Sequence, residues 1–107
     1  MLITNSTNGT GIQTFCADGS GEVIAGDGTV KYTAAALTCT HVMLFADGAD
    51  TPIVFSALGS GVSITAATHP LIVKNGERLI LTVPPSERFL ASKGASGTLR
   101  IAYGVNN

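Results

Sequence analysis

Acid–base, nucleophilic or metal chemistry in this chain would have to run through its two histidines, His41 and His69, its seven carboxylates, or its two cysteines. A histidine becomes a proton shuttle or a ligand only when a second group orients it or shares the ion. Each histidine lies beside an apolar stretch, and neither has a cysteine or carboxylate at metal-ligand spacing. Both are expected to be satisfied core or strand-end side chains. Most of the acids (Asp18, Glu22, Asp27, Asp47, Asp50, Glu77, Glu87) fall in turn sequences, where a short carboxylate bonds its own backbone. Asp18-Gly19-Ser20-Gly21-Glu22 is only a fragment of a calcium loop, which needs oxygen ligands at alternate positions. No serine sits in a G-x-S-x-G elbow, and Gly59-Ser60-Gly61 lacks the lysine and following helix of a phosphate loop. The expectation is a non-enzymatic chain with no catalytic residue, no cofactor and no metal.

The elements that would position any site are short. Turn signals recur at Asn8-Gly9, Asp18-Gly19, Asp27-Gly28, Asp47-Gly48, Gly59-Ser60-Gly61, Asn75-Gly76, Pro84-Pro85 and Gly94 to Gly97. Between them lie runs rich in Val, Ile, Thr, Phe and Tyr, and no segment sustains a 3.6-residue apolar period. This predicts an all-β, single-domain antiparallel β-sandwich, jelly-roll-like, with about 8–10 short strands. The expected strands are 12–17, 21–25, 29–34, 39–46, 51–57, 62–66, 70–74, 77–83, 87–92 and 98–103. Ala34 to Leu37 is an alternative site for one helical turn. Residues 11–107 form the sandwich domain in this reading, and residues 1–10 a flexible or clasping arm, because Met1, Leu2 and Ile3 are its only apolar anchors.

At 107 residues the chain has room for one core. Its formal net charge is −1, and charged residues make up 12%, well under the ~25% of an average soluble domain. That balance gives no reason to expect nucleic acid or an anionic membrane as partner. No apolar run approaches the ~20 residues of a membrane-spanning helix. The N-terminal residues carry no signal-peptide pattern, so an unprocessed product of the host cytoplasm is expected. In that setting the sequons at Asn5 and Asn8 carry no glycan, and Cys16 and Cys39 are expected as reduced core thiols, with their pairing the alternative.

In LIVKNGERLIL, Asn75-Gly76 suits a two-residue type I′ hairpin that would set Lys74 opposite Glu77, Val73 opposite Arg78 and Ile72 opposite Leu79. Both faces of that hairpin would be apolar, whereas a lone sandwich wets one face of each strand. The same holds for HVMLFADGADTPIVFSAL, where Met43 and Phe45 share one face and Val42 and Leu44 the other. A loop folded over the sheet would explain this, and so would a second subunit. On the latter reading Val42, Leu44 and Val54 form an interface, with Leu2 and Ile3 of the arm as a clasp. In the closing strand, alternation directs Leu99, Ile101 and Tyr103 inward, with Thr98, Arg100 and Ala102 outward. The Gly/Ser loop before it would let residues 89–92 turn back and pair with it.

The stretch TVPPSERFLASKGASGTLRIAYGVNN resembles the C-terminal pattern of small β-rich virion proteins of tailed bacteriophages, particularly capsid decoration or cement proteins. The similar elements are Val83-Pro84 closing one strand, Arg88-Phe89 opening the next, and Gly97 to Gly104 as a final strand. The resemblance implies a subunit on the virion capsid surface that binds the major capsid protein across capsomer joints and self-associates as a homotrimer or homodimer. Phage tail and fibre proteins are similar in the same region, which makes a tail subunit the alternative. A carbohydrate-binding module is a third reading, disfavoured because aromatics are 6% and Trp is absent.

Overall fold

A computed structural model describes residues 2–7, 11–68 and 70–106. Among these are nine strands: β1 (Leu2–Thr7), β2 (Gly11–Ala25), β3 (Lys31–Tyr32), β4 (His41–Asp47), β5 (Thr51–Ser56), β6 (Leu71–Val73), β7 (Arg78–Thr82), β8 (Phe89–Ser92) and β9 (Thr98–Asn106). They form two antiparallel sheets, in the orders β1-β2-β9-β4-β7 and β3-β8-β5-β6. No helix is long and apolar enough to cross a membrane among the described residues.

The topology is one long ribbon rolled up. β2 pairs with β9, β3 with β8, β4 with β7 and β5 with β6, alternately in the first sheet and the second. The additional pairs β4–β9 and β5–β8 close the roll. The two packed antiparallel sheets make the expected all-β sandwich, here with the pairing of a jelly roll and β1 added at one edge.

Pairing continues round each corner where the ribbon changes sheet. At one corner Gly26 N–H donates to Gly97 C=O (2.9 Å) and Gly28 N–H to Gly94 C=O (2.9 Å). At the next, Val83 N–H donates to Thr40 C=O (2.8 Å), while the Arg88 guanidinium donates to the carbonyls of Leu37 (2.6 Å) and Cys39 (2.7 Å). At the third, Gly76 N–H donates to Ala46 C=O (2.8 Å). These connections thus satisfy backbone groups that a corner would otherwise leave orphaned.

The third corner corrects the expected hairpin. Glu77 N–H does bond Lys74 C=O (3.0 Å), and Gly76 takes a φ of 82° that a side chain would resist. Yet β6 belongs to the second sheet and β7 to the first, so Ile72 lies opposite Pro52 and Leu79 opposite Leu44. The Asn-Gly signal marks a turn but not the pairing of the strands beside it. Likewise β8 pairs with β3 and β5, not with β9, so the Gly/Ser loop crosses between sheets. Segments 12–17 and 21–25 are halves of one strand, β2, joined by a bulge in which Asp18-Gly19-Ser20 oppose Tyr103 alone. A Cβ at Gly21, where pairing resumes, would collide with the Ile101 carbonyl. Segment 62–66 is loop leading into a 3₁₀ turn at Ala66–Thr68, and Ala34–Leu37 forms no helical turn.

Between the sheets, Val42, Leu44 and Ala46 of β4 and Leu99 and Ile101 of β9 meet Ile53 and Leu90. Tyr103 packs against the same cluster, so the inward set predicted for the closing strand is the observed one. Arg100 is exposed on the opposite face.

Candidate interaction surface

The outward face of the five-stranded sheet is built in cross-strand rows. One row runs Arg78 (β7), Phe45 (β4), Arg100 (β9), Val23 (β2); the next runs Ile80, Met43, Ala102, Gly21. A sandwich exposes this face to water and favours polar residues there. Here Phe15, Met43 and Ile80 form a second buried cluster with Ala17 and Ala102 packed against it. The small pair Ala102 and Gly21 sinks the second row below the first. The result is an open groove of about 430 Å³ bordered by Val23, Met43, Phe45, Arg78 and Arg100. The Arg78 guanidinium lies 4.9 Å from the Phe45 ring centroid, a cation–π contact, and Arg100 Nη2 reaches Asp47 Oδ2 at 3.5 Å.

This reverses the expected interface. Val42 and Leu44 are fully buried between the sheets, inside the protomer, and their neighbours Met43 and Phe45 are the outward pair. Parity identifies two faces but not which one looks inward; pairing of β4 with β9, whose inward set ends in Tyr103, decides it. Val54 lies half-buried on the outer face of the other sheet, in a row with Ala91 and Tyr32. There the β5–β6 loop folds back: the Tyr32 hydroxyl accepts from Val62 N–H (2.7 Å), Gly59 abuts the Phe89 ring and Ile64 is buried. A folded-over loop therefore accounts for the burial around Val54, while a cleft of about 510 Å³ lined by Pro52, Ile64, Pro70 and Ile72 stays open beside it, as the groove of the five-stranded sheet does. Leu2 and Ile3 belong to β1, which pairs with β2, and their side chains lie outside the described part of the structure.

The candidate chemical groups are placed as follows. His41 opens β4 with Nδ1 2.9 Å from Thr40 Oγ1 and Nε2 3.2 Å from Thr82 Oγ1, a strand-end histidine with a partner for each nitrogen. His69 lies outside the described residues. Cys16 and Cys39 are not joined in a disulfide. Asp18 and Asp27 accept from the backbone N–H of Ser20 (2.8 Å) and Thr29 (3.0 Å), as Asx turns do. No cluster of metal-ligating side chains occurs among the described residues.

Glu22 is a carboxylate that turn chemistry does not explain. Placed opposite Ile101 and so facing inward, it accepts from Tyr103 Oη–H (3.1 Å) and from Ala34 N–H (3.1 and 3.2 Å to its two oxygens). Burial, and after it the charge of Glu22, pushes the Tyr103 phenol up to about 12. The pair lines a cleft of about 450 Å³ with Ala34 to Thr38, but its polar atoms are engaged in latching the β3–β4 loop to the first sheet. Alternation puts Glu22 on the face of Ile24, but that Tyr103 and Ala34 meet it there is decided by tertiary structure.

Comparison with protein families, curated proteins and solved structures finds no match.

Proposed function

We propose that the chain is a non-enzymatic structural subunit of a tailed-phage virion, which decorates the capsid surface and stabilises it by binding between major capsid subunits. The observation that carries this reading is the open apolar groove on the outward face of the five-stranded sheet, where an isolated sandwich would be polar. The jelly roll serves viral shells and lectins alike, so fold alone does not choose between them. The C-terminal resemblance to decoration proteins favours the shell. Low charge and a Ser-, Thr- and Gly-rich exterior suit burial between neighbours, and repetition over a symmetric shell lets each contact be weak. Self-association as a homodimer or homotrimer belongs to the same proposal.

Electron microscopy of particles with and without the protein tests it. Density on the capsid surface, with lower heat resistance of particles lacking it, is the expected result. Density confined to the tail, or shells equally heat-resistant without it, would overturn the decoration role.

A further inference from the structure

The groove has a chemistry that narrows what can fill it. Its floor is apolar and its two cations stand in one row, Arg78 and Arg100 on either side of Phe45. With β4 between their strands, their Cα atoms are roughly 9–10 Å apart. The other cations in ion pairs are Lys31, 3.3 Å from Asp27, and Lys74, 3.5 Å from Asp50, both away from this face. Arg78 has no carboxylate partner among the described residues; its recorded contact is the Phe45 ring. Arg100 shares Asp47 at 3.5 Å, with both side chains more than half exposed. Glu22, the one acid in the lining, is held by Tyr103 and Ala34. The groove is therefore a partly apolar place with one arginine, Arg78, that has no carboxylate partner among the described residues, and a second, Arg100, whose exposed pair with Asp47 is open to exchange.

We propose that this groove binds an extended acidic segment of a partner protein, with an apolar side chain seated over Ala102 and Gly21 and carboxylates on Arg78 and Arg100. An arginine fork matches a carboxylate in two parallel hydrogen bonds, and stacking on Phe45 holds the Arg78 fork ready. A sugar would need several polar groups in the lining, whose side chains apart from Glu22 and the two arginines are apolar, among them Val23, Met43, Phe45 and Ala102. This rests on the reading of the chain as a docking subunit and specifies the chemistry of what it docks to.

The test is titration of the full chain with a synthetic peptide of alternating Asp and Leu, followed by methyl and arginine Nε–H NMR. The expected result is saturable shifts at Met43, Ala102, Arg78 and Arg100, with affinity falling about tenfold for Arg78→Gln and for Arg100→Gln. Ala102→Leu, which keeps both arginines but fills the depression, should also block binding while the thermal melt stays cooperative. Four results overturn the proposal: an equal response to a Lys/Leu peptide; shifts indifferent to both arginine substitutions; the same shifts from an acidic oligosaccharide but not the peptide; or a free chain that sediments as a dimer with Met43 and Ala102 covered by a second copy. Peptide binding by a protein whose absence leaves particles unchanged would refute the decoration role and keep the site. Normal decoration by the arginine variants would do the reverse.

Discussion

Asn75 N–H donates to Oδ1 of Asp50 at 2.8 Å, joining residues on two different strand connections at one corner of the roll. Asn75 Oδ1 in turn accepts from Gly48 N–H at 2.8 Å. Between them the two residues hold the connection from β4 to β5 against the connection from β6 to β7 where both change sheet.

Removing the Asn75 side chain should therefore loosen this corner. Asn75→Ala leaves Gly48 N–H to water, and an exposed hydrogen bond of this kind contributes about 1 kcal/mol. Urea unfolding should show that loss in the midpoint with an unchanged slope. No change in midpoint would mean that the Asp50 contact and the Gly76–Ala46 bond suffice.

Acid should weaken the fold through three turn carboxylates. Asp18 is held below its ordinary value chiefly by the Ser20 hydroxyl, Asp27 chiefly by the Thr29 hydroxyl, and Asp50 chiefly by the Asn75 backbone N–H. Each folded pKa is depressed, so the stabilisation is complete above the ordinary value of 3.8 and is lost as pH falls through the folded value. Denaturation midpoints measured below pH 5 should fall, and Asp50→Asn, which keeps an acceptor for Asn75, should flatten that fall. An identical pH dependence in the variant would remove Asp50 from the account.

At the alkaline end the sign is opposite. The Tyr103 phenol is raised from 10.0 to about 12, so its contribution is full below pH 10 and is lost as pH rises through 12. Ultraviolet phenolate absorbance in a Tyr32→Phe background isolates this titration. Glu22→Gln should bring the value part of the way down, because burial, the larger cause, remains. A full return to the ordinary value would assign the whole shift to the charge.

Leu44 is fully buried in the inter-sheet cluster. Leu44→Ala should cost about 2–5 kcal/mol of stability, read by urea denaturation, and leave the sedimentation of the folded protein unchanged. Loss of association with unaltered stability would put Leu44 on a surface instead.

Much of the roll is legible one strand at a time. Gly, Asn and Asp punctuate two of the three corners, because those residues tolerate positive φ and bond their own backbone; the corner of residues 33–40 and 83–88 has none of them. The alternation of Leu99, Ile101 and Tyr103 against Arg100 is local, so the inward face of β9 follows from spacing. Where both faces of a strand are apolar, as in β4, spacing no longer distinguishes them.

The sequence by itself determines an all-β chain of short strands, its turns, and the presence of strands apolar on both sides. Tertiary structure alone decides which strands pair, and hence that Asn75-Gly76 turns a corner instead of closing a hairpin. It decides too that Val42 and Leu44 are core while Met43 and Phe45 look out, and that Arg78 and Arg100 meet across Phe45. The physical reason is range. Turn propensity and alternation act over a few residues, whereas the register that aligns residues 45, 78 and 100 is set by contacts far apart in the chain, which local spacing does not encode.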